Sequence, residues 1–372
     1  MSNAALALYA EMGATPVINA IGNRTFLGGS APDPEVVAAM QLAGRYYVDM
    51  DAFLASTGRI VADLIAAEAA LITPGCAAAI VLGTAACITG PDPDKMARLP
   101  DTTGLKNKVV IQQAQRYKYD RVARLPGTTL VAAGTAAGTT ADELAAAIDD
   151  KTAMVLYPAI DNQANILSAA QTIAIAHAHD VPVFVDAAYR VYPLSGLTEY
   201  TAMGADLVGY GAKYFGAPNS SGILCGRQDL IAAAHLHSFA CFETRDLLGI
   251  GRPLKIDRQE VVGVVVALQR WLAMDHDDRH AETARRADIL RSYLGEISNS
   301  QISTGSSPTL TLTLDEQALG QTADEIQMAL RNCNPAVWPD FSPGHLHFHM
   351  HSVQDGDEEM LAAKVKEILE AG

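Results

Sequence analysis

Asp186 closes the apolar run VPVFVD (181–186), and Lys213 follows downstream in GADLVGYGAKYFGAPNSSGILCG (204–226). Lys213 therefore sits on a glycine-rich connection between two short apolar runs. Open α/β sheets bind ligands at the carboxyl ends of their strands, so an acid at one strand end and an amine on a neighbouring loop can converge on one molecule. Pyridoxal phosphate chemistry asks for that pair. A lysine amine forms an imine with the cofactor aldehyde, and a carboxylate keeps the pyridine nitrogen protonated so that the ring accepts carbanion electrons. Gly209, Gly211 and Gly216 around the lysine let backbone approach a flat ligand closely. Taken singly, an Asp after a strand is often a helix cap and a Lys in a glycine-rich loop is usually solvated. The pairing in a strand–lysine–strand setting carries the reading.

Such a pair needs a sheet to hold it. From about residue 40 to 255 helical stretches alternate with short apolar runs. The spacing predicts helices over 60–70, 76–89, 142–149 and 169–179. Strands are expected at 108–112, 129–132, 153–157, 181–186, 206–209 and 222–225. Strands separated by helices imply βαβ crossovers and a mostly parallel sheet covered on both faces. After Pro253 the texture changes: long helices are expected over 261–280 and 282–296, alternating strands at 309–314 and 345–351, and helices over 322–331 and 358–369. The expected architecture is α/β, with an N-terminal segment (1–40), a large domain (41–255) and a smaller C-terminal α+β domain (256–372).

The 372 residues are 49% hydrophobic and 19% charged, enough apolar material for two cores and too much for disorder. Lys plus Arg number 27 against 42 Asp plus Glu, a net charge of −15. That balance argues against a general nucleic-acid binder, which needs clustered cations to neutralise phosphates. The opening MSNAALALYAEMGA has no basic stretch ahead of its apolar run, and Glu11 breaks that run, so no secretory signal is expected. No apolar run approaches the roughly 20 residues a bilayer span requires. The five cysteines, Cys76, Cys87, Cys225, Cys241 and Cys333, lack CxxC spacing and are expected as reduced thiols in a cytoplasmic protein. No GxGxxG follows an early strand, which disfavours a nicotinamide oxidoreductase.

Several segments together carry a resemblance: VINAIGNRTFLGGS (17–30), AEAALITPGCAAA (67–79), LPDTTGLKNKVVIQQAQRYKYD (99–120), GTTADELAAAI (138–148), VDAA after the strand, GAKYFGAPNSSGILCGR (211–227) and GIGRPLKIDRQEVVG (249–263). Over about residues 15–270 the chain resembles fold-type-I pyridoxal 5′-phosphate enzymes related to bacterial selenocysteine synthase, and within them the D-glucosaminate-6-phosphate ammonia-lyase group. The resemblance implies an aminotransferase-like large domain and a homodimer or larger homo-oligomer with active sites at subunit interfaces. It implies a lyase that eliminates a β-hydroxyl from an amino acid or amino sugar acid and releases ammonia and a 2-oxo acid. Residue pattern alone supports only amine chemistry on the cofactor, and aldol cleavage, decarboxylation, β-replacement, selenocysteine synthesis on tRNA or a non-catalytic role stay open. Thr73, Gly75, Cys76 and Ala77 fall where the cofactor phosphate sits at a helix N-terminus, a placement that free N–H groups and the helix dipole also favour. The ring-stacking position falls on Gln115, beside Arg116 and Tyr117, and the place three before the lysine, commonly Ser, is Tyr210. That phenol either restricts the substrate pocket or packs.

Arg24, Arg116 and Arg252 lie in the resembling segments and are candidate grips for a substrate carboxylate or phosphate, because a guanidinium donates two parallel hydrogen bonds. His345, His347, His349 and His351 alternate and would share one strand face. No acidic ligand lies within that run, so a structural face is expected and not a metal site.

Overall fold

The computed structural model describes residues 3–160, 164–304 and 309–370. Its strands in chain order are β1 (Val17–Ala20), β2 (Ala69–Thr73), β3 (Lys108–Gln112), β4 (Thr129–Ala133), β5 (Thr152–Pro158), β6 (Val183–Asp186), β7 (Leu207–Gly211), β8 (Gly222–Gly226), β9 (Ser300–Thr304), β10 (Thr309–Leu314), β11 (Ala336–Ser342) and β12 (His345–His349). The chain divides into two compact units, residues 31–272 and residues 1–30 with 273–372.

The larger unit is built on a seven-stranded sheet of order β2-β8-β7-β6-β5-β3-β4. The pairs β4–β3, β3–β5, β5–β6 and β6–β7 are parallel, while β8 runs antiparallel to both β7 and β2. Every residue of β5, β6 and β7 is buried, as a parallel sheet covered on both faces requires. The Ala-rich Gly75–Thr89 helix is buried along most of its length, small side chains letting it lie close on the sheet.

One expectation fails here. The run 60–70 was expected as a helix, but the helix is Met50–Leu64 and the following AALIT is strand β2. All five of its residues are buried, so it shows no alternation, and a fully buried strand cannot be told from a helix by periodicity. Asp49 caps that helix, accepting from the N–H groups of Asp51 and Ala52.

The smaller unit holds a five-stranded sheet of order β1-β11-β12-β10-β9. Leu310, Leu312, Leu314, Leu346 and Phe348 point into its core with Leu290, Val365 and Leu361. The alternation read in 309–314 and 345–351 is thus real, but the strand ends at His349 and His351 lies on the short turn Met350–Ser352, so three of the four histidines and not all four stand on the strand. Between 256 and 296 the expected helix break is displaced: the helices are Arg258–Ala273 and His276–Leu294, separated where Asp275 accepts from the N–H groups of Asp277 and Asp278.

The unit boundaries also differ from the expected 1–40, 41–255 and 256–372. β1 pairs in parallel with β11, Val17 opposite Ala336, so the N-terminal segment completes the small sheet. The Arg258–Ala273 helix instead stays with the large unit. There Trp271 Nε1 donates to the Val191 carbonyl at 3.0 Å, and Arg270 pairs with Asp33 at 2.7 Å.

Candidate active site

β6 and β7 pair so that Asp186 lies opposite Gly209. Past that register the two chains stay tied, Ala187 N–H donating to the Gly209 carbonyl at 3.0 Å and Gly211 N–H to the Ala188 carbonyl at 2.9 Å. Lys213 then lies on the tight turn Ala212–Phe215, closed by Gly216 in the left-handed conformation (φ +83°). Lys213 is half-buried, its Nζ 5.2 Å from the centroid of the Tyr214 ring. Strand pairing therefore carries the acid and the amine to the carboxyl ends of two neighbouring interior strands.

Asp186 is 9% exposed. Its Oδ1 accepts from Cys76 Sγ at 3.3 Å and from Ala188 N–H at 3.2 Å, and its Oδ2 accepts from the Tyr117 hydroxyl. Burial pushes the Asp186 carboxyl up from its ordinary range, opposed by the Tyr117, Cys76 and Ala188 donors. Burial and then the neighbouring Asp186 charge push both the Tyr117 phenol and the Cys76 thiol up, so both keep their protons and act as donors.

Cys76 belongs to the first turn of the Gly75–Thr89 helix, whose start has no side-chain cap. The first N–H groups of a helix lack intrahelical acceptors, and here no side chain takes them. Gly75 has φ +85°. Gly222 of β8 comes so close that a Cβ there would lie 2.6 Å from the Gly75 carbonyl carbon and 2.7 Å from the Cys76 nitrogen. Strand and helix start thus form one tight cradle. Ala77 is exposed at its rim. Thr73 is fully buried and its hydroxyl donates to the Gly75 carbonyl at 3.0 Å, so it shapes the turn and its hydroxyl does not present itself to a ligand.

Other expected site residues stand elsewhere. Gln115 is 0% exposed, its amide donating to the Pro158 carbonyl at 3.0 Å and its carbonyl accepting from Gln112 at 2.9 Å. A side chain so tied cannot stack on a ligand. Tyr117, two residues on, reaches Asp186 instead; its signal in the sequence was an aromatic just beyond a strand end. Tyr210 is also 0% exposed and donates to the Gly196 carbonyl at 2.9 Å, so it packs in the core and lines no substrate pocket. Neighbouring side chains on a strand face opposite ways, which is why a residue next to the site in sequence turns away from it.

Arg116 pairs with the buried Asp120, and Arg252 pairs with Glu243 at 2.5 Å. Arg24 belongs to the smaller unit, where it meets Asp340 at 3.3 Å. In that unit the histidine face is a ladder. His345, His347 and His349 each meet a threonine of β10 through Nδ1, at 3.1, 3.0 and 3.3 Å. Asp51, His235 and Cys241 form the one group among the described residues close enough to chelate a cation. Arg245 already holds both Asp51 oxygens, at 2.6 and 3.1 Å, which makes the group an ion-pair network. Its positive charge opposes a metal.

A sheet of this order, with an amine and a buried carboxylate at the carboxyl ends of β7 and β6 and the carboxylate bonded to Cys76 of an uncapped helix start, is that of the fold-type-I pyridoxal 5′-phosphate enzymes. Comparison with known proteins agrees: the chain belongs to the class-V aminotransferase family, which it matches over residues 62–304. Its cofactor is accordingly pyridoxal 5′-phosphate. The chain is 30% identical to a 5′-C-glycyluridine monooxygenase-decarboxylase of a Streptomyces species, covering 97% of this chain and 92% of that one. It is also 30% identical to the D-glucosaminate-6-phosphate ammonia lyase of Salmonella typhimurium, covering 98% of each. A solved structure of D-glucosaminate-6-phosphate ammonia-lyase superposes with a TM-score of 0.88 at 30% identity, over 98% of both chains.

Proposed function

We propose that this chain is a lyase acting on an amino acid or amino sugar acid, with Lys213 and Asp186 as its catalytic residues. The observation that carries the reading is the β6–β7 register, which sets Asp186 opposite Gly209 with Lys213 on the turn that follows β7. The residues present fit the cofactor. Lys213 offers the amine and Asp186 a buried carboxylate. The N–H groups of Gly75, Cys76 and Ala77 offer an anion site on the cradle that Gly222 keeps open.

When bound, pyridoxal phosphate supplies the electron sink for a carbanion at the substrate Cα. Lys213, on the turn after β7, would take the substrate Cα proton as general base. Asp186, a buried carboxylate, would hold a proton on the pyridine nitrogen. The outcome proposed is loss of a β-hydroxyl as water and release of a 2-oxo acid and ammonia. Arg116 and Arg252 stay the candidate grips in this unit for an anionic substrate group, which would have to draw them from Asp120 and Glu243.

The Streptomyces relative favours a second reading, decarboxylation, since it stands at the same identity as the ammonia lyase. The two readings part on product: ammonia with a 2-oxo acid, or carbon dioxide. Other parts of the proposal rest on broader features. A homo-oligomer follows the family resemblance. A cytoplasmic location fits five free cysteines, and the absence of a nucleic-acid partner fits the net charge of −15. No helix among the described residues is long and apolar enough to cross a membrane.

Borohydride reduction of the loaded enzyme tests the central assignment. The cofactor should become fixed to the peptide containing Lys213, and a label on any other lysine rejects it.

A further inference from the structure

We propose that Tyr117 and Cys76 are positioning residues that, with the Ala188 N–H, hold the Asp186 carboxylate by three of its lone pairs and leave one Oδ2 lone pair open to the cofactor ring nitrogen. The inference rests on the assignment of Asp186 made above. An ionised carboxylate offers about four acceptor sites. Two on Oδ1 are taken, by Cys76 Sγ at 3.3 Å and Ala188 N–H at 3.2 Å, and one on Oδ2 is taken by the Tyr117 hydroxyl. The fourth is the only one left by these donors for a ring N–H.

The donors come from three places in the chain: a helix start, the segment beyond β3, and the loop after β6. Each is itself fixed. Asp120 accepts from the Tyr117 N–H at 3.2 Å and from Arg116, holding the tyrosine's backbone. Gly209 makes room for the thiol, since a Cβ there would lie 3.0 Å from Cys76 Sγ. The ionisable groups around the carboxylate are thus Cys76 and Tyr117, with Asp120 and Arg116 behind the tyrosine and Lys213 on the turn after the adjoining strand.

The consequence is electrostatic. A ring nitrogen keeps its proton only against an ionised partner, and burial works against ionisation of Asp186. The Tyr117 and Cys76 donors oppose that burial. A hydrogen bond to an ionised group is strong enough to move such a balance by about one to two pH units.

The test uses Tyr117→Phe, Cys76→Ala, Cys76→Ser and Asp186→Asn in the full chain. In cofactor-free protein, infrared difference spectra against Asp186→Asn locate the pH at which the Asp186 carboxyl protonates. In protein loaded with pyridine-15N cofactor, the nitrogen shift reports ring protonation. Tyr117→Phe should raise the infrared midpoint by about one to two units and shift the ring nitrogen towards its unprotonated value at neutral pH. Cys76→Ala should do the same to a smaller extent, and Cys76→Ser, which keeps a donor, should restore both readings. Unmoved midpoints in the phenylalanine and alanine variants would overturn the proposal. Should the midpoints move while the ring nitrogen ignores even Asp186→Asn, Asp186 is not the ring partner, and the underlying assignment falls instead.

Discussion

Thr311 Oγ1 lies 3.0 Å from His347 Nδ1, directly across the β10–β12 ladder, where the two residues are register partners. The His347 Nε2 in turn meets Ser342 Oγ at 2.9 Å. Both ring nitrogens are thereby occupied by hydroxyls, which gives the histidine face a structural task. Thr311→Val should cost about 1 kcal/mol of stability, the ordinary worth of a hydrogen bond, read by chemical denaturation. EDTA should leave activity intact, and metal analysis should find well under one ion per subunit. One tightly held ion, lost together with activity in a His347→Gln, His349→Gln variant, would contradict this.

Replacing Asp186 by Asn keeps the shape of the side chain and removes its charge. The protein should fold and bind cofactor, yet turnover should fall on the order of 10²-fold, as when transition-state charge loses its partner. Steady-state kinetics with ammonia release decides it. Near-normal turnover would reduce Asp186 to a packing residue.

Gly222→Ala should weaken the cofactor site from outside it. The added Cβ would meet the backbone of Gly75 and Cys76 at 2.6 and 2.7 Å, and backbone cannot rotate away. The strand and the helix start must separate, at a cost of about 1–3 kcal/mol typical of overpacking. Cofactor titration should show affinity lower by roughly five- to a hundredfold, each tenfold being about 1.4 kcal/mol. Unchanged affinity would show that the cradle does not hold the cofactor.

The Asp51 carboxyl stands at about 2, below its ordinary 3.8, because hydrogen bonds from Arg245 and His235 outweigh the burial that pushes it up. Its folded value is depressed, so its contribution is fully present above about pH 4 and fades as pH falls through about 2. The contribution is on the order of 2 kcal/mol. Denaturation of wild type and Asp51→Asn at pH 7 should differ by about that amount, with the gap narrowing below pH 4. A gap that does not depend on pH would assign the loss to packing instead.

The candidate chemistry was legible in the sequence because it is local. Asp186 ends a hydrophobic run, Lys213 sits between two others, and the type of each residue is what its proposed role asks for. Alternation likewise exposed β10 and β12, since a sheet with one wet face writes period two into the chain. What the sequence did not yield depends on partners remote in the chain. Val17 finds Ala336 across more than three hundred residues, which moves the N-terminal segment into the small unit. β2 is buried on both faces, so burial erased the periodicity that would have marked it. At the site, Gln115, Tyr117 and Tyr210 are all polar residues near strand ends, and nothing in their spacing says which two pack fully inside and which one reaches Asp186. Only the packed fold decides that. A side chain's role there depends on the donors and acceptors that the surrounding elements bring within about 3 Å, and those come from every part of the chain.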